Sequence, residues 1–498
     1  MKHRLRLNNF LTLVYQVISI LVGLFLPRLF LSAYGSNVNG LVSSITQMLS
    51  IITLLDFGVG AVVQSSLYKP LSQNDYESIS NIYSSAKKYF KVIAEILLIY
   101  IFLLFLYFGF FKNTGYTPIY TITLIISISI SSFAQYYFGI CNSLLLNADQ
   151  KIYITSLVSL FTMILNAILT LVLINAGMSV QIVKLISSLI FMLKPIIYSI
   201  YVKKYYKIKL VNNPPKDALK QKWHGLAQHV SSVVTNSTDY IVLTIFSSLE
   251  TISIYNIYVM PLNSVKALME SMSSSYKSYF GKLYAENRMS ELKIEFRKYE
   301  IAVHFLTVII FCCICKVIVP FVLLYTSGVK DVNYENYLFS YFITLAYAIY
   351  ALRIPYTTVI FSAGHFKQTQ LYCIIETILN ISISFICVIK FGLVGVAFGT
   401  CIGVGYRLIA SAYYLEKSII YRKLSTFVKT IIIDFISVGF ILICTSFFTI
   451  TSISVLNWIV YSMVIFIICL TIAALIFSLG YPSFVKKILK RESKKIIE

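Results

Sequence analysis

The residues of this sequence with the most chemical potential are charges stranded in apolar runs. The cations are Arg28, Lys184, Lys194, Lys266, Lys316, Arg353 and Arg407, and the acids are Asp56, Glu95, Asp239, Glu270, Glu376 and Asp434. A charge at mid-bilayer costs at least ~2.5–3.5 kcal/mol, so each must face a cavity, the bundle interior or a partner. Arginine stays charged and forks onto phosphate or carboxylate oxygens. Arg28 follows Pro27, Arg353 precedes Ile354-Pro355, and Arg407 falls near the middle of its run. With Lys194, Lys266 and Lys316 these arginines form the candidate anion-binding set. Asp56, Asp239 and Glu376 are the candidates for coupling to a proton or sodium ion. A cavity bearing such cations calls for an anionic substrate. Plainer roles stand beside these. Lys266 and Glu270, like Lys91 and Glu95, are spaced to neutralise each other along one helix face. Asp434 and Lys184 lie near run ends and can snorkel. The arginines can pair with buried acids such as Glu376, Asp239 or Asp56.

Other chemistries find little support. The nine cysteines lie almost entirely inside apolar runs and form no paired loop framework, so they are expected as apolar packing. Cys312-Cys313-Ile314-Cys315 lacks the further ligands a thiolate metal site needs. Histidines at 3, 224, 229, 304 and 365 show no metal or triad spacing, and no Gly-x-x-x-x-Gly-Lys phosphate loop occurs. No cofactor, no metal and no catalytic residue is expected. The net charge of +22 raises nucleic acid as a partner. However, Lys and Arg fall in short clusters between apolar runs, as topology-setting loops do, and not on one exposed face.

The elements that position these charges must be membrane helices. Hydrophobic residues make up 58% of the chain and charged residues 12%, half the usual charged share of a soluble domain, and mean hydropathy is +0.79. Apolar runs lie near 8–33, 40–67, 89–111, 118–146, 152–175, 180–202, 223–247, 251–276, 299–325, 335–362, 368–389, 393–416, 429–450 and 454–478. Each is long enough to cross a hydrocarbon core of about 30 Å at 1.5 Å per residue. The backbone must satisfy itself there, so the runs are helices. The fold class is therefore all-α, a polytopic membrane protein of about fourteen transmembrane helices. The first run is too long for a signal peptide and lacks a cleavage site, so it is expected to remain as a span.

Basic residues orient the bundle. With the N-terminus inside, the inner segments hold Lys2, Arg4 and Arg6, then Lys69, Lys87, Lys88 and Lys91, then the seven lysines of 203–222. Further inner clusters run from Lys277 to Lys298, from Lys417 to Lys429 and from Lys486 to Lys495. The outer loops hold only Lys112, Lys330 and Lys390, so both termini are expected in the cytoplasm. The outer loops are also too short for the large extracellular catalytic loop of a membrane glycosyltransferase or polymerase.

The first six spans resemble the next six at a shift of about 215 residues. Leu67-Tyr68 answers Leu283-Tyr284, and Asn147–Lys151 stands where Ser362–Lys367 stands. Leu165-Asn166 answers Leu379-Asn380, and Gly177 answers Gly392. Six is even, so the copies are parallel repeats, of the kind that rock around a central cavity. The expected division is an N-lobe over 1–202, a linker over 203–222 and a C-lobe over 223–428. A terminal pair of spans over 429–480 and a basic tail over 481–498 follow.

The motifs Leu26-Pro27-Arg28-Leu29, Tyr34-Gly35-Ser36, Asn39-Gly40-Leu41-Val42 and Leu55-Asp56-Phe57-Gly58-Val59-Gly60 resemble the first two spans of bacterial Wzx-type polysaccharide flippases. These are relatives of MATE drug exporters and lipid II flippases in one exporter superfamily. Asn236-Ser237-Thr238-Asp239, Arg353-Ile354-Pro355-Tyr356, Ser362-Ala363-Gly364-His365-Phe366-Lys367-Gln368-Thr369, Glu376 with Leu379-Asn380, and Gly392-Leu393-Val394-Gly395-Val396-Ala397 continue the resemblance along nearly the whole chain. It implies two six-helix lobes with two extra C-terminal helices in the bacterial plasma membrane. It also implies export of an undecaprenyl-diphosphate-linked oligosaccharide to the outer leaflet for capsule, O-antigen or exopolysaccharide assembly, with polymerase and chain-length proteins as partners. Arg28, Arg353 and other inward cations would meet the diphosphate or acidic sugars. A small-molecule exporter of the same fold is the alternative, and a membrane glycosyltransferase or polymerase is a third.

Overall fold

A computed structural model of the chain describes residues 2–56, 59–211, 226–450 and 452–482. Phe57-Gly58, most of the expected linker and the tail from 483 lie outside the described residues. Every regular element described is helical: α1 (Lys2–Ser50), α2 (Val59–Gln73), α3 (Tyr76–Leu106), α4 (Pro118–Ala134), α5 (Ile140–Ala148), α6 (Ile152–Asn175), α7 (Val180–Tyr205), α8 (Leu226–Phe246), α9 (Leu249–Ala285), α10 (Met289–Tyr325), α11 (Tyr337–Ser362), α12 (Gln370–Leu415), α13 (Ser425–Ser446) and α14 (Val455–Gly480). Among the described residues ten segments are long and apolar enough to cross a membrane, and the chain is a multi-pass membrane protein. Two of the ten are double length, Phe10–Asp56 and Gln370–Ile420. Each turns at a glycine with positive φ, Gly35 (φ 78°) and Gly392 (φ 52°), so each holds two helices. The expected spans over 223–247 and 251–276 correspond to α8 and α9, which are too polar to be counted among the ten.

Three expected spans are less regular than apolar length alone implies. The run over 40–67 tightens into a 3-10 segment at Ile51–Asp56. There the Ser50 hydroxyl donates to the Gln47 carbonyl at 2.6 Å and Thr53 to the Ser50 carbonyl at 2.7 Å. Such local side-chain bonds compete with the helical ladder. The run over 118–146 widens into a π turn at Gln135–Gly139, joining α4 to α5. A second π turn, Tyr107–Phe111, ends α3.

The chain folds as two compact units, Met1–Asn256 with Gly328–Val332, and Ile257–Ser327 with Asn333–Glu498. In the first unit α1 packs on α6 and α8, and α4 on α7. Past Gly35 the chain restarts its helix under an acidic cap: the Ser36 amide and hydroxyl donate to the Asp331 carboxylate at 2.6 and 2.7 Å. Gly40 lies so close to the start of α9 that a Cβ there would sit 1.7 Å from the Leu249 carbonyl oxygen. Asn37 and Asn39 donate to Glu250 and Ser253, both at 2.8 Å, along the same seam.

In the second unit α11 packs on α12 and α10, and α10 on α13 and α14. An apolar core of Ile301, Ile309, Ile433, Ile465 and Phe477 joins α10 to the terminal pair. Cys312 and Cys469 are part of it, and all nine cysteines are unbridged. The two halves of α12 fold onto each other along Gly395, Gly399 and Gly403. A Cβ on them would meet the Cys387 carbonyl oxygen at 2.3 Å, the Ser384 hydroxyl at 2.2 Å and the Asn380 Cβ at 3.0 Å. Small residues every four positions let helix backbones approach this closely in lipid.

The turns repeat as the sequence does. Eight of the ten residues with positive φ fall into pairs: Asn74 and Asn287, Gly115 and Gly328, Gln150 and Gly364, Gly177 and Gly392. Their separations are 213, 213, 214 and 215 residues, the spacing of the internal repeat.

Candidate functional site: a cation cluster on α9, α11 and α12

The close folding of α12 sets Glu376, on its first half, opposite Arg407, on its second. Arg407 Nη1 lies 3.4 Å from Glu376 Oε2. From α11, Arg353 Nη1 reaches the other oxygen of the same carboxylate at 2.6 Å. Arg353 stands two residues before Pro355, whose ring removes a backbone hydrogen bond and bends helices at such points. The Arg353 guanidinium also lies over the Tyr350 ring at 4.4 Å, and Lys266 of α9 lies over the same ring at 4.3 Å. The Tyr350 hydroxyl donates to Glu270, one turn beyond Lys266. One turn of α11 earlier, Tyr347 donates to Asn263 at 2.7 Å.

Three cations thus surround two carboxylates in an apolar bundle, leaving one positive charge in excess among the described residues. Glu376 and Arg407 are buried, whereas Arg353 and Lys266 are half-buried, so the cationic side is the more open one. Both arginines pair with Glu376, the acid the sequence holds out as their structural alternative to an anion. The arrangement serves both roles, because two guanidiniums on one carboxylate leave N–H donors to spare. Tyr350 and Glu270 complete the cluster and are not singled out by sequence as a site.

The remaining candidates lie elsewhere. Arg28 is exposed on α1, and Lys194 is half-buried on α7 with its ammonium 4.8 Å from the Phe191 ring. Lys316 is half-buried on α10, and Asp56 closes the 3-10 segment. Asp239 is buried on α8 and accepts a 2.7 Å hydrogen bond from the Tyr255 hydroxyl.

A second network in the same unit is one that sequence reasoning missed. Glu300 on α10 accepts from Arg297 Nη1 at 2.6 Å, from Arg422 Nη1 and Nη2 at 2.9 and 2.8 Å, and from the Tyr356 hydroxyl at 2.8 Å. Arg422 Nε also donates to both oxygens of Glu416, at 2.9 and 2.8 Å. Burial works against the Arg422 charge, but its bonds to Glu416 and Glu300 outweigh that and hold the guanidinium above its ordinary value. His304, one turn beyond Glu300, places Nδ1 2.6 Å from Asp434 of α13. Asp434 does not snorkel as its place near a run end allows. It is buried, because His304 gives it a partner in the core. The available signal was Arg297, Glu300 and His304 at spacings of three and four, which share one helix face. Among the described residues no group of His, Cys, Asp and Glu could hold a metal ion.

The fold is that of the MOP-superfamily transporters. A solved structure of the lipid II flippase MurJ in an inward closed conformation aligns with TM-score 0.71 at 17% identity, covering 95% of this chain and 99% of that one. An inward-facing multidrug-resistance MATE transporter of the MOP superfamily aligns with TM-score 0.60 at 13% identity over 80% of this chain and 96% of that one. The MATE multidrug transporter DinF-BH, in complex with R6G, aligns with TM-score 0.59 at 15% identity over 84% and 97%. No protein-family model and no curated protein matches the sequence.

Proposed function

We propose that this chain flips an undecaprenyl-diphosphate-linked oligosaccharide from the cytoplasmic to the outer leaflet of a bacterial plasma membrane by alternating access, for capsule, O-antigen or exopolysaccharide assembly. The observation that carries the proposal is the surplus of cations around Glu376. Burying Lys266, Arg353 and Arg407 together is costly in lipid unless they meet anions, and among the described residues only two carboxylates stand with them. A diphosphate supplies the missing negative charge. Arg353 and Arg407 would replace the water lost by its oxygens, with Lys266 as a point charge beside them. An inside-negative potential favours the outward step by ~2.3 kcal/mol per charge per 100 mV. The likeness in fold to a lipid II flippase supports a lipid-linked cargo.

The basic clusters place both termini in the cytoplasm. The lobes are residues 1–202 and 223–428, with the terminal pair added. Arg28, Lys194 and Lys316 stand as further cations along the path, and Asp56, Asp239 and Glu376 as sites for a coupling proton or sodium ion. Polymerase and chain-length proteins would take the product.

The test is flipping in proteoliposomes that carry a polyprenyl-diphosphate oligosaccharide. Arg28→Ala, Arg353→Ala and Arg407→Ala should each abolish flipping while the protein still inserts. Wild-type rates in all three variants would remove the cationic site. Export of small organic cations, with no flipping, would favour the drug-exporter alternative.

A further inference from the structure

The network around His304 shares no residue with the cation cluster, and the flipping reaction does not use it. Every group that faces His304 from the surrounding elements is defined. From α10 come Glu300 and Arg297, from α11 Tyr356, and from α13 Asp434, with Thr430 accepting from Arg297 at 2.9 Å. Glu416 and Arg422 come from the π turn Glu416–Ile420 and the connector after it, and the Tyr481 ring lies 5.0 Å from the Arg297 guanidinium.

The pairing of donors with acceptors fixes the ring's protonation. The Tyr356 hydroxyl has one proton and two neighbours, Glu300 Oε1 at 2.8 Å and His304 Nε2 at 3.3 Å. Glu300 receives three bonds from the two arginines, so it is an ionised acceptor, and the shorter distance assigns it the tyrosine proton. The tyrosine oxygen then offers Nε2 only a lone pair. Nδ1 faces Asp434, a carboxylate. Both ring nitrogens therefore face acceptors, which an imidazole can satisfy only with a proton on each. Charge leads to the same state. Arg297 and Arg422 oppose Glu300, Glu416 and Asp434, and one positive charge is lacking. Among the described residues no donor reaches Asp434 Oδ1, so His304 is the group that compensates it.

We propose that His304 is a proton-binding site, and that the proton it holds between Asp434 and Tyr356 fastens α13 onto α10 and α11. Glu300 and His304 are fully buried, whereas the Arg297 and Arg422 side chains keep 24% and 16% exposure, so the network leads from the bundle's edge to the ring. Release follows that line. The Nε2–H bond breaks and its proton passes to the Tyr356 oxygen. The proton tyrosine held passes to Glu300 and on to water at the exposed arginines. The tyrosine is left donating to a neutral Nε2, and the buried group carries one uncompensated negative charge. That state is disfavoured in a dry core and loosens α13.

The experiment is thermal unfolding of the purified full chain in detergent between pH 5.5 and 9. The folded state holds a proton that the unfolded chain gives up above the ordinary histidine range, so stability falls as pH rises. The wild-type midpoint should drop on the order of a degree or two per pH unit across that range. His304→Gln and Asp434→Asn should flatten the drop, while His365→Gln should keep it. If His304→Gln does not fold, Tyr356→Phe serves instead, since losing the acceptor for Nε2 should move the drop to lower pH. A flat wild-type profile, or a wild-type drop retained in His304→Gln or unmoved in Tyr356→Phe, would overturn the proposal.

Discussion

At Glu376 two guanidiniums share one carboxylate, and that asymmetry can be measured. Glu376→Gln strands two buried cations and should cost about 3–5 kcal/mol, the range for breaking a buried ion pair from one side. Arg407→Gln leaves the 2.6 Å Arg353–Glu376 pair intact and should cost clearly less in the same unfolding measurement. The reverse order would mean that Arg407 and not Arg353 balances the acid. His365 makes a second prediction. It lies between α11 and α12, with Nε2 3.3 Å from the Tyr284 hydroxyl and Nδ1 2.9 Å from Tyr414, and burial pushes its imidazole below the ordinary value. A histidine shifted down binds its proton more weakly when folded, so its contribution is present at neutral pH and is lost as pH falls through the unfolded value. The site is largely solvated, and the effect should be a shallow fall below about pH 6.5. His365→Gln should remove that acid-side fall, and a fall that survives the substitution would place its source elsewhere.

Helices and their lengths were legible because period and hydropathy are local properties. The run over 393–416 reappears as the second half of α12, and the glycine expected to answer Gly177 is the one at which α12 turns. The interruption at Ile51–Asp56 was not legible, since apolar length says nothing about hydroxyls diverting carbonyls. Partners distant in the chain were harder still. His304 and Asp434 are 130 residues apart, and the histidines taken alone show no spacing that points to an acid. Arg353, Arg407 and Glu376 could be nominated because each is costly in lipid, but their convergence required the glycine face of α12. That face gives a paired prediction. Gly399→Ala would push a methyl within 2.2 Å of the Ser384 hydroxyl and 2.6 Å of its backbone nitrogen. Overpacking of this kind typically costs about 1–3 kcal/mol. Gly405→Ala meets nothing within 4 Å and should unfold like wild type. Equal midpoints for the two variants would show that the halves of α12 can part freely.

At the scale of the molecule, basic clusters and recurring turns describe one design from two directions. The turn pairs spaced by 213–215 residues are a property of backbone geometry, independent of the residue matches that first indicate the repeat. The orientation that follows from Lys and Arg can be checked in a cysteine-replaced background. Asn333→Cys should react with an impermeant maleimide in intact cells, and Glu286→Cys only after permeabilisation. Both positions are exposed, so labelling from the opposite sides would invert the bundle. The folding of α12 carries one more consequence. Its halves touch backbone to backbone, so Glu376 and Arg407 travel as a single piece and their spacing is nearly fixed. Arg353 rides on another helix, beside a proline. It is the swinging arm of the cluster, and a cargo anion gains entry by competing with Glu376 for that arm while Arg407 keeps the acid company.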